Sequence, residues 1–339
     1  METVNIALLG LGTVGGGTLQ ILRRHADAIE RRTGRRVQVR RALVRDPAKV
    51  RPAAAEGVAI TTAIDDILSD ASIHIVAELM GGCEPAREWV LRAIAGGKHV
   101  ITANKALIAQ HGNEIFAAAE KHGVIVAFEA AVGGGIPIIK TIREALAGND
   151  IRSVAGIVNG TTNYILTEMR DRGLDFGAAL AEAQALGYAE ADPSFDIGGI
   201  DAAHKLAILA AIAFGTPLSF PHVAIEGIDA IGAEDIHYAE TLGYSIKHLA
   251  IARRDADAVE LRVHPTLIPQ RHLLARVDGV MNAILVEGDA VGESLLYGAG
   301  AGALPTASSV VADLVDVLRL LSADPDHRVP YLGVRPGAV

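Results

Sequence analysis

The chain has 339 residues, half of them hydrophobic but only 4% aromatic, with 36 glycines and a formal net charge of −9. This length favours two or more domains, and a glycine-rich, aromatic-poor mixture suits tightly packed α/β layers better than an all-β barrel. The acidic balance, with arginines scattered rather than striped, argues against nucleic acid as a partner, and the single cysteine, Cys83, excludes an intramolecular disulfide framework.

The N-terminus "METVNIALLGLG" reads straight into a strand and a glycine turn, with no targeting signal, and the turn opens a helix through "ILRRHADAIERR". "RVQVRRALVRD" reads as a second strand and "IHIVAELMGG" as a third. After a helix in "EPAREWVLRAIAGG" come "KHVITANK" as a fourth strand, a helix in "NEIFAAAEKHG", and "VIVAFEAAVGGG" as a fifth strand ending in glycines. Strands alternating with helices predict a Rossmann-type, doubly wound parallel α/β sheet over residues 1–130. The order then changes. "IPIIKTIREALAG" reads as a helix with proline in its first turn, "IRSVAGIVNG" as a strand, and two helices precede the strand-like "VELRVHPTLI" and "AILVEGDAVGESLLYG". A second, α+β catalytic and dimerisation domain around an antiparallel sheet is expected over 131–302. "AGAGALPTASSVVADLVDVLRLL" then leads into an apolar helix that we expect, with the rest of 303–339, to pack back on the first domain. The longest apolar run, Leu206 to Phe214, falls well short of the roughly 20 residues that span a bilayer, so a cytoplasmic protein is expected.

Gly10-Leu11-Gly12-Thr13-Val14-Gly15 fits G-x-G-x-x-G and sits between a strand and a helix, where such glycines let a pyrophosphate approach the helix N-terminus. The second strand usually ends in an acid that holds ribose hydroxyls; here Arg40, Arg41 and Arg45 fall near that place, which favours the 2′-phosphate of NADP, while Asp46 just beyond keeps NAD open. Lys105, in "ITANKALI", lies just past the fourth strand, at the edge where open α/β sheets bind ligands; the alternative is a surface lysine opening a helix. The glycines of "FEAAVGGGIP" form either an interdomain hinge or a turn that exposes oxygen ligands to an alkali cation. "NGTTNYIL" can line a polar substrate through Asn159, Gly160 and Thr161, or simply cap a helix. In "GYAEADPSFDIGGIDAAHKLAIL", Asp201 and Lys205 are four residues apart on one helix face, as in an exposed salt bridge. Yet the lysine stands where the helix turns wholly apolar, and Glu190, Asp192 and Asp196 precede it as a cluster suited to a ligand's ammonium group.

These segments, in this order, closely resemble the homoserine dehydrogenase family over nearly the whole chain to about residue 320. The resemblance implies NADP- or NAD-dependent interconversion of L-homoserine and L-aspartate 4-semialdehyde on the path to threonine, methionine and isoleucine. The nearest alternative is a sister dehydrogenase acting on another small amino or hydroxy acid. By resemblance Lys205 matches the proton-donating lysine, Glu190 the carboxylate that binds homoserine, Asp201 and Asp196 acids of the same pocket, and Lys105 a lysine between nicotinamide and substrate. Thr102, Gly187 and Gly302 fall at cofactor or substrate contacts. Glu129, Val132, Gly134 and Ile136 match positions offering oxygens to a sodium ion. A homodimer formed through the second domain is also implied. Many members carry a C-terminal threonine-binding ACT domain, for which this chain leaves no room, so inhibition through such a domain is expected to be absent.

Overall fold

The computed structural model describes residues 2–49, 55–255, 258–325 and 328–332. They form two compact units, one from the chain up to Pro137 together with the residues from Ala301 on, the other from Ile138–Gly300.

The first unit runs β1 Thr3–Leu9, α1 Thr13–Arg24, α2 Ala26–Thr33, β2 Arg36–Leu43, β3 Ala59–Thr61, α3 Asp65–Leu68, β4 Ile73–Glu78, α4 Ala86–Ala95, β5 His99–Thr102, α5 Lys105–His122 and β6 Val126–Ala127. Its strands make one six-stranded sheet in the order β3-β2-β1-β4-β5-β6, parallel throughout. Helices cover it, so Ile6, Leu8, Ile75, Ala77 and Ile101 are buried. Strand order reverses between β1 and β4, and the carboxyl ends flanking such a reversal are where open α/β sheets take ligands.

Three details depart from the sequence reading. β3 is an additional strand, short enough to leave no period-2 signal. The strand expected through "VIVAFEAAVGGG" stops at Ala127, because the Glu129 N–H donates to the Asp313 carboxylate (2.9 Å) instead of to a neighbouring strand, and a 3₁₀ turn follows. Helix α5 starts about two turns before the expected "NEIF", since the Asn104 side chain accepts from the Leu107 N–H (3.1 Å) and caps it at Lys105.

The second unit begins with a single helical turn, α6 Ile138–Lys140, that widens through Ala145. It continues with β7 Ile151–Ile157, α7 Gly160–Arg172, α8 Phe176–Ala185, α9 Ser194–Ile197, α10 Ile200–Phe214, β8 Ala224–Ile225, α11 Ala233–Thr241, β9 Tyr244–Asp255, β10 Ala258–Pro269, β11 Met281–Gly288 and β12 Gly292–Ala299. The sheet order is β12-β11-β7-β9-β10-β8, antiparallel except where β8 joins β10. Pro265 is accommodated in β10 because β8 pairs only with Arg262 and Val263, leaving an open edge beyond. Helix α10 is apolar on nearly every side and packs on β7, β9 and β10, which buries almost its whole length.

A last helix, α12 Ala303–Leu320, belongs to the first unit and lies against α1. The two approach so closely at Gly17 that a Cβ there would meet the Ala303 carbonyl oxygen at 2.5 Å. Val310, Leu314, Val317 and Leu318 complete the core that β1 and α1 begin.

At the start of β5, the His99 Nδ1 accepts from the Ile125 N–H (2.9 Å), a bond that needs the ring neutral. Burial, aided by the charge of Arg328 and by His74, pushes the His99 pKa down from 6.5 to about 4. The unfolded chain therefore binds a proton below pH 6.5 that the folded chain refuses until about pH 4, so stability is full above that window and falls as pH drops through it. The loss attributable to His99 is at most about 3 kcal/mol. Urea unfolding at pH 7, 5.5 and 4.5 should give a flatter profile for His99→Gln than for the wild type; parallel profiles would remove His99 as the cause.

Candidate active site

In the first unit the glycine turn has the shape a dinucleotide needs. Gly10 has φ +103°, and a Cβ there would come within 2.9 Å of the Leu79 carbonyl oxygen. At Gly15 it would lie 2.4 Å from the Gly10 oxygen, so that glycine lets α1 approach the turn. Gly12 is the N-cap of α1 with no side-chain cap, and a Cβ there meets nothing within 4 Å. The exposed Gly12 and Thr13, with Val14, thus leave an open helix N-terminus whose N–H groups suit an anion.

Of the three arginines, Arg41 faces Asp70 (3.7 Å), and Arg40 and Arg45 are placed differently. Arg45 stands two residues past Leu43, the end of β2, whose carbonyl accepts from the Gly10 N–H (3.0 Å). Arg40 is the extra residue at a bulge inside β2, where Val39 and Arg41 face Ile6 and Ala7. There it adds to the hydrogen bonds of Ser72 in holding the Asp70 carboxyl low. Asp46 accepts from the Ala48 N–H (2.9 Å) within its own turn.

Thr102 ends β5 and its hydroxyl donates to a carboxylate that the sequence reading did not single out, the fully buried Glu78 (2.6 Å). Lys105 is the half-buried first residue of α5. Gly302 caps α12 with φ +123°.

Glu129 is 5% exposed, and Val132, Gly134 and Ile136 after it are buried. Gly133 and Gly134 take φ of +74° and +54°, which turns this segment sharply. The Gly134 carbonyl accepts from the Ser309 hydroxyl at 2.6 Å. A carboxylate and main-chain carbonyls are oxygen donors of the kind a hard cation takes. No group of three or more His, Cys, Asp or Glu able to hold a metal occurs among the described residues.

The second unit gathers the other predicted residues. Gly199, with φ +84°, starts α10 where a Cβ would press on Ile225 (3.0 Å) and His248 (3.3 Å). That placement puts Asp201 in the first turn and Lys205 one turn on, both buried. The Lys205 ammonium donates to the Asp201 carboxylate (2.7 Å) and to the Val158 carbonyl (2.6 Å). Asn159 donates through Nδ2 to Asp201 and to Asp196, each at 2.8 Å, while its Oδ1 accepts from the Thr162 N–H and caps α7. Gly160 follows, with room for a Cβ closed by the Val280 carbonyl at 2.7 Å, and the Thr161 hydroxyl donates to the Tyr188 carbonyl (2.6 Å). Lys205, Asp201, Asn159 and Asp196 therefore form one network. Glu190 lies outside it: the residue is exposed, and its main-chain carbonyl accepts from the Gln184 side chain (3.0 Å). Gly187 is exposed at the end of α8 with φ +76°.

Residues 137–315 match the family model for homoserine dehydrogenase, and residues 10–129 the model for homoserine dehydrogenase, NAD binding domain. The chain belongs to the homoserine dehydrogenase family. It is 58% identical to homoserine dehydrogenase of Pseudomonas aeruginosa and 55% identical to that of Neisseria gonorrhoeae, in each case over 100% of this chain and 78% of the relative. The crystal structure of a homoserine dehydrogenase from Thiobacillus denitrificans superposes with a TM-score of 0.96 at 62% identity, covering 99% of this chain and 78% of that one. A hyperthermophilic archaeal homoserine dehydrogenase, solved in complex with NADPH, superposes with a TM-score of 0.79 at 28% identity over 93% of this chain and 98% of that one. As a homoserine dehydrogenase the chain is an NAD(P)-dependent oxidoreductase acting on the CH–OH group of L-homoserine, interconverting it with L-aspartate 4-semialdehyde in amino-acid biosynthesis.

Because Asp201 is the anion beside a buried ammonium, Asp201→Ala is expected to lower the unfolding free energy by about 3–5 kcal/mol. Chemical denaturation measures it, and an unchanged midpoint would mean that the pair does not anchor the site.

Proposed function

We propose that Lys205 donates the proton in the reduction of L-aspartate 4-semialdehyde and accepts it in the oxidation of L-homoserine. The observation that carries this reading is the buried ammonium of Lys205, held between Asp201 and the Val158 carbonyl at the entry of α10. The nicotinamide cofactor, when bound, supplies or accepts the hydride. As the substrate oxygen gains negative charge, the Lys205 N–H stabilises it and then transfers its proton. Asp201 keeps the ammonium charged and oriented, and Asn159 fixes Asp201. In oxidation Lys205 must first be neutral, so that direction should quicken toward alkaline pH.

The substrate is an amino acid with two further charges. The carboxylate of the exposed Glu190, with Asp196, receives its ammonium. The N-terminus of α7 at Asn159, Gly160 and Thr161, or Lys105, takes its carboxylate. NADP is the assigned cofactor because Arg45 stands just past the end of β2 and supplies charge for a 2′-phosphate, with Arg40 a weaker candidate from within the strand. Glu129 and the carbonyls of Val132, Gly134 and Ile136 would hold a sodium ion, whose charge would brace the turn after β6. A homodimer is assigned through the second sheet, where Leu295, Leu285, Ala155 and Ile251 align across four strands as an apolar row.

Absorbance at 340 nm with L-homoserine and NADP⁺ or NAD⁺ tests the chemistry. Losing a charged hydrogen-bond partner costs about 1.5–3 kcal/mol, so Glu190→Gln should raise the homoserine KM about tenfold or more with kcat little changed. Lys205→Ala should instead lower kcat at least 100-fold, and a kcat within about threefold of wild type would remove its role. Arg45→Ser should shift the NADP⁺/NAD⁺ ratio toward NAD⁺. Sedimentation equilibrium and thermal melting in sodium chloride against choline chloride test the assembly and the ion together. Twice the 35.4 kDa chain mass and a lower melting temperature in choline are expected; a monomer, or equal melting, would count against the respective assignment.

A further inference from the structure

Glu78 ends β4 at the centre of the sheet's carboxyl edge, paired with Leu9 of β1 on one side and Thr102 of β5 on the other. It is 0% exposed, and no ion pair to it occurs among the described residues. Every group that touches its carboxylate is a donor. Oε1 accepts from the N–H groups of Met80 (2.9 Å) and Gly81 (3.4 Å), and Oε2 from the Thr102 hydroxyl (2.6 Å). Burial pushes the Glu78 pKa up, and these donors, with the Asn104 side chain, oppose that; the Thr102 oxygen also accepts from the Asn104 N–H (3.0 Å). Asn104 in turn donates through Nδ2 to the Gly82 carbonyl (2.6 Å), which closes the ring on the same loop that Glu78 holds.

The ring touches both halves of the chemistry assigned to this unit. On one side the Leu79 N–H donates to the Leu9 carbonyl (2.8 Å), and the Leu79 oxygen bounds the space beside Gly10 in the dinucleotide turn. On the other side Asn104 caps α5, whose first residue is Lys105. A buried carboxylate without a countercharge is an expensive way to hold two strand ends together, which a pair of apolar residues would do as well. Its advantage is direction: a carboxylate that only accepts fixes the orientation of each donor around it.

We propose that Glu78 is a positioning residue for cofactor binding, a buried acceptor that locks the Leu79–Gly82 loop and the N-terminus of α5 in one geometry so that the Gly10 turn and Lys105 are preset together. This rests on the assignment of Gly10–Gly15 to the dinucleotide and of Lys105 to the site. Glu78→Gln keeps the shape but turns an amide N–H toward groups that are themselves donors.

The test is NADPH and NADH titration by fluorescence on the full chain, with melting temperature and steady-state kinetics alongside. Glu78→Gln should raise the NADPH Kd at least tenfold and the NADPH KM with it, leaving the homoserine KM within about twofold. A merely structural role would lower the melting temperature and the active fraction, hence kcat, without moving Kd. Thr102→Val breaks the ring with the carboxylate in place and should weaken NADPH binding similarly; if Glu78→Gln fails to fold, this variant alone decides. Where both fold, the double variant should bind no worse than Glu78→Gln by more than about twofold, since both cut one ring. A folded Glu78→Gln with Kd within twofold of wild type overturns the inference alone, as do fully additive losses. A wild type that binds neither dinucleotide overturns the cofactor reading and this inference with it.

Discussion

Taking the Lys205 ammonium out of water is the demand around which the second unit is organised. A lysine head group that is largely buried needs an anion and further acceptors in good geometry, because desolvation otherwise outweighs the Coulombic gain. Asp201 supplies the anion from one turn earlier on the same helix, and the Val158 carbonyl supplies an acceptor from the chain just beyond β7. Asn159 then couples the pair to the rest: it donates to Asp201 and Asp196 while capping α7. The starts of α7 and α10, the short α9 and the end of β7 are thereby held by one network. A shift of any of them changes the position of the ammonium. The apolar length of α10 behind Lys205 serves the same end, since a helix buried on nearly every side cannot slide or rotate without opening the core.

The first unit solves a different problem, that of keeping main chain open for a ligand while the sheet below stays packed. Its glycines divide that labour. Gly10 and Gly15 exist because neighbouring backbone occupies the space of a side chain, whereas Gly12 faces open space at the head of α1. Gly17 belongs to packing alone, allowing α12 to lie against α1. The glycine fingerprint is therefore a statement about space on both sides, filled by protein backbone beneath and left open above.

Much of this was legible in the sequence where the signal is local. The strand–glycine–helix opening declares the parallel sheet and its ligand edge, and the i,i+4 spacing of Asp201 and Lys205 at the threshold of an apolar helix declares their pairing. What could not be read depends on partners far away in the chain. Glu78 looks like an ordinary acid between a strand and glycines; its meaning comes from Thr102, 24 residues later. The early stop of β6 is set by Asp313, 184 residues from Glu129. Arg40 and Arg45 look equivalent in "VRRALVRD", but β2 ends at Leu43, so the former lies inside the strand, at a bulge, and the latter beyond its end. β-bulges and distant carboxylates leave no period in a sequence.

Lys247 gives the clearest contrast with Lys205, because both are lysines enclosed by the same unit. On β9, Lys247 has a side chain 1% exposed, and its three N–H groups meet the Val277 carbonyl (2.6 Å), Asp278 (2.9 Å) and the Asn163 side-chain Oδ1 (3.2 Å). Burial lowers its pKa, with Asp278 opposing. The two N–H donors of the Asn163 amide are shared among the carbonyls of Val277, Gly279 and Met281. This is a sealed clamp: every proton is engaged, the side chain is shut off from solvent, and the loop before β11 is fastened to α7. Lys205 has the same kind of carboxylate partner but a side chain 10% exposed, at the first turns of its helix rather than within a sheet. A proton donor needs a positioned ammonium that a small molecule can still reach, whereas a structural lysine needs only to be satisfied. Burial and pairing alone do not separate these roles; the remaining access at Lys205, which Lys247 lacks, is what its proposed role requires.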